Sequence, residues 1–181
     1  MLSLYPITKD NLDFAVKLQN ELFPMPNCSA RINYIDAINH NNYANYFLVY
    51  DNELCIGITG IYYESVDLES AWLGWFGVKE EFRRQHYGTK IIQLFEMMAI
   101  NRGFTYARLY TDAIDNDAAI SFYKANGYTC EEYNCPNDPA CVSNKILIFS
   151  KSLTDAKVPL WNNKNIHLTS QMEKQFTEAI L

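Results

Sequence analysis

The sequence holds no apolar run approaching the ~20 residues needed to cross a bilayer. Its first residues, Met1-Leu2-Ser3-Leu4-Tyr5-Pro6, lack the basic and apolar regions of a secretory leader, so the expectation is a cytoplasmic protein with no membrane partner. Positive charge is also scarce: 15 Lys and Arg stand against 21 Asp and Glu, a net charge of -6. Nucleic acid as a main partner demands a basic footprint, which this balance does not offer. An acidic surface suits a cationic small molecule instead. No disulfide framework is legible either. Cys28, Cys55, Cys130, Cys135 and Cys141 are odd in number and irregular in spacing, which fits reduced thiols. The last three lack both the short spacings and the neighbouring His of a zinc site, and no metal is expected.

What is present centres on residues 72–102. Ala71-Trp72-Leu73-Gly74-Trp75-Phe76-Gly77-Val78 is an apolar run bounded by charge, which predicts a strand covered on both faces. A basic loop follows through Arg83, Arg84 and Lys90, with Gly88 near the start of a helix. Ile91, Leu94, Phe95 and Met98 fall on one side of that helix at i, i+3, i+4, i+7, flanked by Ile92 and Ala99. Asn101-Arg102-Gly103 reads as its stop. A strand feeding a Gly-containing loop and a helix N-terminus offers free backbone N–H groups and the positive end of the helix dipole. The pattern therefore predicts a phosphate site.

Around this centre, 181 residues suffice for about one domain with a single substantial core. The chain reads as a strand from Leu2 to Ile7, then a helix capped by Thr8 or Asp10 and running to about Leu22, with Leu12, Ala15, Val16 and Leu18 inward. After the break at Phe23-Pro24-Met25-Pro26 comes a helix to about Ile38, with Ile32, Ile35 and Ile38 inward. Residues 46–50 and 54–63 form a hairpin over Asp51-Asn52, and 64–70 is an acidic connection. Beyond the central helix lie a strand at 107–111, a helix with Asn116 as N-cap and Gly127 as stop, a strand at 128–133, a Pro-containing loop, a strand at 142–150, and a tail with a helix from Ser170. This order makes an α/β domain with a mixed sheet.

Two stretches carry a family resemblance. Val78-Lys79-Glu80-Glu81-Phe82-Arg83-Arg84-Gln85-His86-Tyr87-Gly88-Thr89 resembles the Gln/Arg-x-x-Gly-x-Gly/Ala motif of the GNAT acetyltransferases. Arg83 matches its first position and Gly88 its last, whereas His86 replaces the middle Gly. Asn116-x-x-Ala119-Ile120-x-x-Tyr123-x-x-x-Gly127-Tyr128 is similar to the family's second signature throughout, and the separation of the two, one helix and one strand, also agrees. The resemblance spans about Leu2 to Ser150. It implies a single-domain fold with a mixed, mostly antiparallel twisted sheet flanked by helices, whose central parallel strands splay apart.

It also implies acetyl-CoA as acetyl donor. Backbone N–H groups of Arg84, Gln85, His86, Tyr87, Gly88 and Thr89 would cradle the pyrophosphate, with Arg83, Arg84 and Lys90 as nearby cations. His tolerates the positive φ that the missing Gly would have supplied, and its ring could itself bind phosphate. Phe76, Gly77 and Val78 would flank the pantetheine arm, the Val78 N–H polarising the thioester carbonyl. Asn116 would either bond the pantetheine or cap its helix. Tyr123 would protonate the departing thiolate. Some family members carry a Glu base where this chain has Trp72, which leaves Glu64, Asp67, Glu69, Glu131, Glu132 or a water chain for that role. The expected acceptor is a primary amine on a small molecule or an exposed amino group, with Tyr34, Tyr62, Tyr63 and Trp75 lining its pocket. Residues 1–153 would form the catalytic domain, and 154–181 an extension packed on it or at a homodimer interface. An acyl-CoA-binding module with weak catalysis, or a structural dimerisation protein, are the competing readings.

Overall fold

The computed structural model describes residues 1–24, 30–40, 43–114, 116–134, 145–164, 166 and 168. Its elements are β1 (Leu2–Pro6), α1 (Leu12–Leu22), α2 (Ala30–Asn39), β2 (Ala44–Asp51), β3 (Leu54–Glu64), β4 (Asp67–Val78), α3 (Tyr87–Asn101), β5 (Tyr106–Asp112), α4 (Asp117–Ala125), β6 (Thr129–Glu132) and β7 (Ile146–Ser152). Short 3₁₀ turns span Glu80–Phe82 and Trp161–Lys164. The fold is mixed α/β, with one seven-stranded, mostly antiparallel sheet ordered β1-β2-β3-β4-β5-β7-β6. The chain divides into two compact units, one of residues 1–63 and 71–103, the other of 64–70 and 104–181.

In the first unit β1, β2 and β3 pair antiparallel, Leu4 opposite Val49 and Leu48 opposite Ile58. Successive strand residues point to opposite faces. Leu48 accordingly joins Leu12, Ala15 and Leu18 of α1 and Ala30 and Tyr34 of α2, whereas Val49 joins Ile56 and Ile91 of α3. Burying each such Leu or Ile stabilises by about 1.5–3 kcal/mol. A register shift between Val49 and Tyr50 lets Cys55 and Ile58 share the α1/α2 face although they are three apart. Tyr46 lies over two glycines: a Cβ on Gly60 would meet its ring at 2.4 Å, and one on Gly74 at 2.9 Å.

Several local expectations need correction. Helix α1 begins after Asn11, whose side chain accepts from Thr8 N–H (2.8 Å) and donates to Pro6 C=O (3.0 Å), so neither Thr8 nor Asp10 is the cap. In α2 the buried residues are Ala30, Tyr34 and Ala37; Ile38 packs against the same core as expected, while Ile32 and Ile35 are exposed. The buried stripe of α3 is Ile91, Ile92, Phe95 and Ala99, with Leu94 and Met98 at its margin. Residues 67–70 are strand rather than connection. The left-handed stops at Gly103 (φ 83°) and Gly127 (φ 86°) agree with expectation.

In the second unit β7 pairs with both β5 and β6, antiparallel. Its core holds a charge. Arg108 of β5 is fully buried, donating to Ser70 Oγ (3.0 Å), Ser150 Oγ (2.6 Å) and Pro159 C=O (2.8 Å). Its guanidinium also faces the Tyr106 and Trp161 rings at 5.8 and 5.4 Å. Burial pushes its pKa down, opposed chiefly by the negative charge of Asp67. The segment after β7 packs through the same centre: Trp161 is fully buried, Glu131 accepts from the Trp161 and Asn162 N–H groups, and Lys164 pairs with buried Asp67 at 2.9 Å. The expected helix from Ser170, Cys28, Cys135 and Cys141 lie outside the described residues; Cys55 and Cys130 are free thiols.

Candidate active site

The first unit carries the loop expected to bind phosphate. Strand β4 ends at Val78, whose carbonyl accepts from Arg83 Nε at 3.0 Å. This bond folds the loop back on the strand that feeds it, so Arg83 organises the loop besides adding charge. The Glu80–Phe82 turn closes with Arg83 N–H to Glu80 C=O (3.1 Å), and Gln85 Nε2 donates to Glu81 C=O at 2.9 Å. Arg84 (φ 59°) and His86 (φ 63°, ψ 9°) both take the left-handed conformation. Alternation into that region turns consecutive amides toward one side, a geometry that makes anion-binding concavities.

His86 is the N-cap residue of α3 but makes no side-chain cap bond. The first intrahelical bond runs from Lys90 N–H to His86 C=O at 3.2 Å, which leaves the amides of Tyr87, Gly88 and Thr89 without helical acceptors. These uncapped donors at the positive helix end fit a pyrophosphate. Tyr87 is pinned from outside the motif. Its hydroxyl donates to Asp51 Oδ2 at 2.7 Å and its ring meets Phe82 edge-on, while Lys90 lies 5.2 Å from the ring centre. The Tyr87 hydroxyl, then the terminal ammonium of Met1 and the charge of Lys90, hold the Asp51 carboxyl below its ordinary pKa. Asp51 carries no sequence signal, being read there as a turn residue.

Phe76 and Gly77 lead into Val78, and a Cβ on Gly57 would lie 2.1 Å from the Gly77 carbonyl oxygen. The strand also holds a strained residue, Trp75 at φ 26°. A non-Gly residue there costs of order 1–3 kcal/mol and persists only when its surroundings enforce it. Trp75 packs on Phe23 at 5.4 Å. Of the expected acceptor linings, Tyr34 is instead a core residue packed on Tyr46, Tyr62 stacks on Trp72, and Tyr63 packs on Tyr43. Trp72 is itself fully buried.

The second unit carries Tyr123. It is the buried residue of α4, its ring 5.2 Å from Phe149 and 6.2 Å from Tyr128. Burial raises its phenol pKa well above the ordinary value. Asn116 precedes α4 but does not cap it with its side chain; the amide donates back to Thr111 Oγ1 (2.5 Å) and Asp112 C=O (3.3 Å). The capping expectation is thus corrected. Four of the carboxylates considered as bases are engaged: Asp67 and Glu69 with Lys164, Glu131 with the Trp161 turn, and Glu132 with Lys145 at 2.8 Å. No group of three or more metal-ligating side chains occurs among the described residues, and no helix among them is long and apolar enough to cross a membrane.

A strand feeding a loop and the uncapped N-terminus of α3, with β5 and then a helix bearing a buried Tyr later in the chain, is the order of elements found here. Residues 12–128 match the model of the acetyltransferase (GNAT) family, and the chain belongs to that family, whose acetyl donor is acetyl-CoA. A search of curated proteins finds no match. Among solved structures the chain is similar to a GNAT-family protein from Desulfovibrio desulfuricans (TM-score 0.73, 10% identity, covering 85% of this chain and 100% of that one). It is likewise similar to the ribosomal-protein-S18-alanine N-acetyltransferase of Escherichia coli (0.66, 18%, 89% and 99%). A third is the spermidine N-acetyltransferase of Vibrio cholerae, solved with CoA and spermine (0.65, 17%, 84% and 95%).

Proposed function

We propose that the chain is an acetyl-CoA-dependent N-acetyltransferase whose acceptor is a primary amine on a small molecule or an exposed amino group. The observation that carries this reading is the uncapped, doubly left-handed loop at the start of α3, in a chain of this family. Acetyl-CoA, when bound, supplies a thioester open to direct attack by a neutral amine in a ternary complex. The amides from Arg84 through Thr89 bind its phosphates, with Arg84 and Lys90 adding charge. Phe76, Gly77 and Val78 offer backbone groups to the pantetheine, and the Val78 N–H polarises the thioester carbonyl. Asn116, whose amide donates to Thr111 Oγ1, is assigned to the same arm by its place in the family's second signature. Tyr123 holds a proton at its phenol oxygen, as a phenol does at neutral pH, for release to the thiolate. In this reading the amine gives its proton to a water chain or to Glu64, since Trp72 replaces the family's Glu and Asp67, Glu69, Glu131 and Glu132 bond elsewhere. We also assign residues 1–153 to the catalytic domain and 154–181 to an extension of it, a reading supported by the buried Trp161 and the Lys164–Asp67 pair.

Tyr123→Phe tests the chemistry, because it keeps the ring contacts. Turnover is expected to fall roughly 100-fold or more with acetyl-CoA affinity unchanged; equal turnover would remove Tyr123 from the mechanism. Trp72 at the position of the family's Glu favours one second reading, an acyl-CoA-binding module. Tight acetyl-CoA binding without acetyl transfer to any member of an amine panel would select it.

A further inference from the structure

We infer that Phe23, together with Leu22, walls the acyl end of the donor site and restricts the donor to acetyl over longer acyl groups. The inference rests on the reading of Phe76-Gly77-Val78 as the stretch beside the thioester. Gly77 has no side chain, and the space that a Cβ would take is bounded by Leu22 Cδ1 at 3.1 Å and by Phe23 Cε2 and Cζ at 3.2 Å. Both distances are tighter than ordinary carbon–carbon contact. The end of α1 therefore lies directly over the backbone one residue before Val78.

The wall is held from three sides. Phe23 N–H donates to Gln19 C=O at 2.8 Å, which fixes the residue as the continuation of α1. Its ring leans on Trp75 at 5.4 Å and 58°, and Trp75 is carried by the strained φ of β4. Leu22, Phe23 and Trp75 all pack on the cluster of Leu12, Ala15 and Leu18. Yet all three remain half-buried, as a wall must and a core residue need not. An acetyl group presents one methyl to such a surface. Each further methylene has to displace side chains that are already in contact, and a pocket of fixed size discriminates one methylene by roughly 10- to 200-fold.

The test is calorimetric titration of the full chain with CoA, acetyl-CoA, propionyl-CoA and butyryl-CoA, for the wild type, Phe23→Ala and Leu22→Ala. The wild type is expected to bind acetyl-CoA at least tenfold more tightly than butyryl-CoA, and Phe23→Ala to bring the two within about threefold. Phe23→Leu, a milder change for the fold, is expected to give an intermediate ratio, with thermal melts reporting the fold of each variant. Equal wild-type affinity for the acetyl and butyryl thioesters overturns the inference, as does an unchanged ratio in folded Phe23→Ala or Phe23→Leu. Failure of the wild type to bind CoA and all three thioesters overturns the cofactor reading itself, and this inference with it.

Discussion

Replacing His86 separates backbone geometry from ring chemistry in the phosphate loop. The residue sits at φ 63°, ψ 9°, where an ordinary L-residue is strained by about 1–2 kcal/mol. His tolerates this region better than Ala by a several-fold enrichment, or about 1 kcal/mol. His86→Gly should thus gain about 0.5–1 kcal/mol after allowing for the unfolded-state entropy of Gly, a rise of roughly 1–4 °C in Tm for a chain of this size. His86→Ala should lose about 1 kcal/mol. Acetyl-CoA affinity by titration calorimetry supplies the second axis. If the amides alone bind phosphate, Gly keeps or improves affinity and Ala weakens it, because only Ala disturbs the left-handed turn. A phosphate contact by the ring would be worth about 1.5–3 kcal/mol, so that both variants would lose roughly 10- to 150-fold. A tenfold loss in His86→Gly, with its Tm raised, would refute the backbone account.

Arg108→Ala removes a buried charge and strands the Ser70, Ser150 and Pro159 acceptors; urea unfolding followed by Trp fluorescence should show a loss of about 3–5 kcal/mol, and a change below about 1 kcal/mol would contradict the role of Arg108 as a buried latch joining β5 to those three residues. Gly57→Ala sets a methyl against the Gly77 carbonyl oxygen at 2.1 Å and should cost about 3 kcal/mol, read as a Tm lowered by several degrees; an unshifted Tm would show that the strands can part freely. The depressed pKa of Asp51, caused first by the Tyr87 hydroxyl, means that its contribution to stability is present above its ordinary value of 3.8 and is lost as pH falls below it. Wild-type Tm should therefore decline more steeply below about pH 4 than that of Asp51→Asn or Tyr87→Phe; parallel profiles would dissociate the pair from the acid response.

The strand, loop and helix of the phosphate site were legible because each is written locally. The apolar run, Gly88, and the stop at Gly103 need no distant partner. What escaped the sequence depended on residues far apart. Residues 67–70 looked like an acidic connection because the pattern is inverted: Asp67 is buried against Lys164, 97 positions later, while Leu68 is exposed. Likewise Tyr34, and not Ile32 or Ile35, faces inward in α2 beside Ala30 and Ala37, whereas Ile38 packs against the core as expected. Asn116 had the right type and place for a cap, yet its Nδ2 donates back to Thr111 and Asp112, and its side chain makes no cap bond. Tyr123 was legible as part of a motif, although its burial was not. A lone cation in Ala107-Arg108-Leu109, amid a strand otherwise apolar, was the one available hint of the buried latch, because such a charge demands partners.

That latch sets an order on the chain's birth. Arg108 and Pro159 lie 51 positions apart, so at 5–20 residues per second a ribosome needs about 3–10 s to deliver the carbonyl after the guanidinium. Through that interval β5 carries a cation whose final neighbours do not yet exist, and the Trp161 ring that later covers it is equally absent. Residues 1–63 and 71–103 have by then all been made. The buried charge of the second unit is therefore completed only once residue 159 has been made.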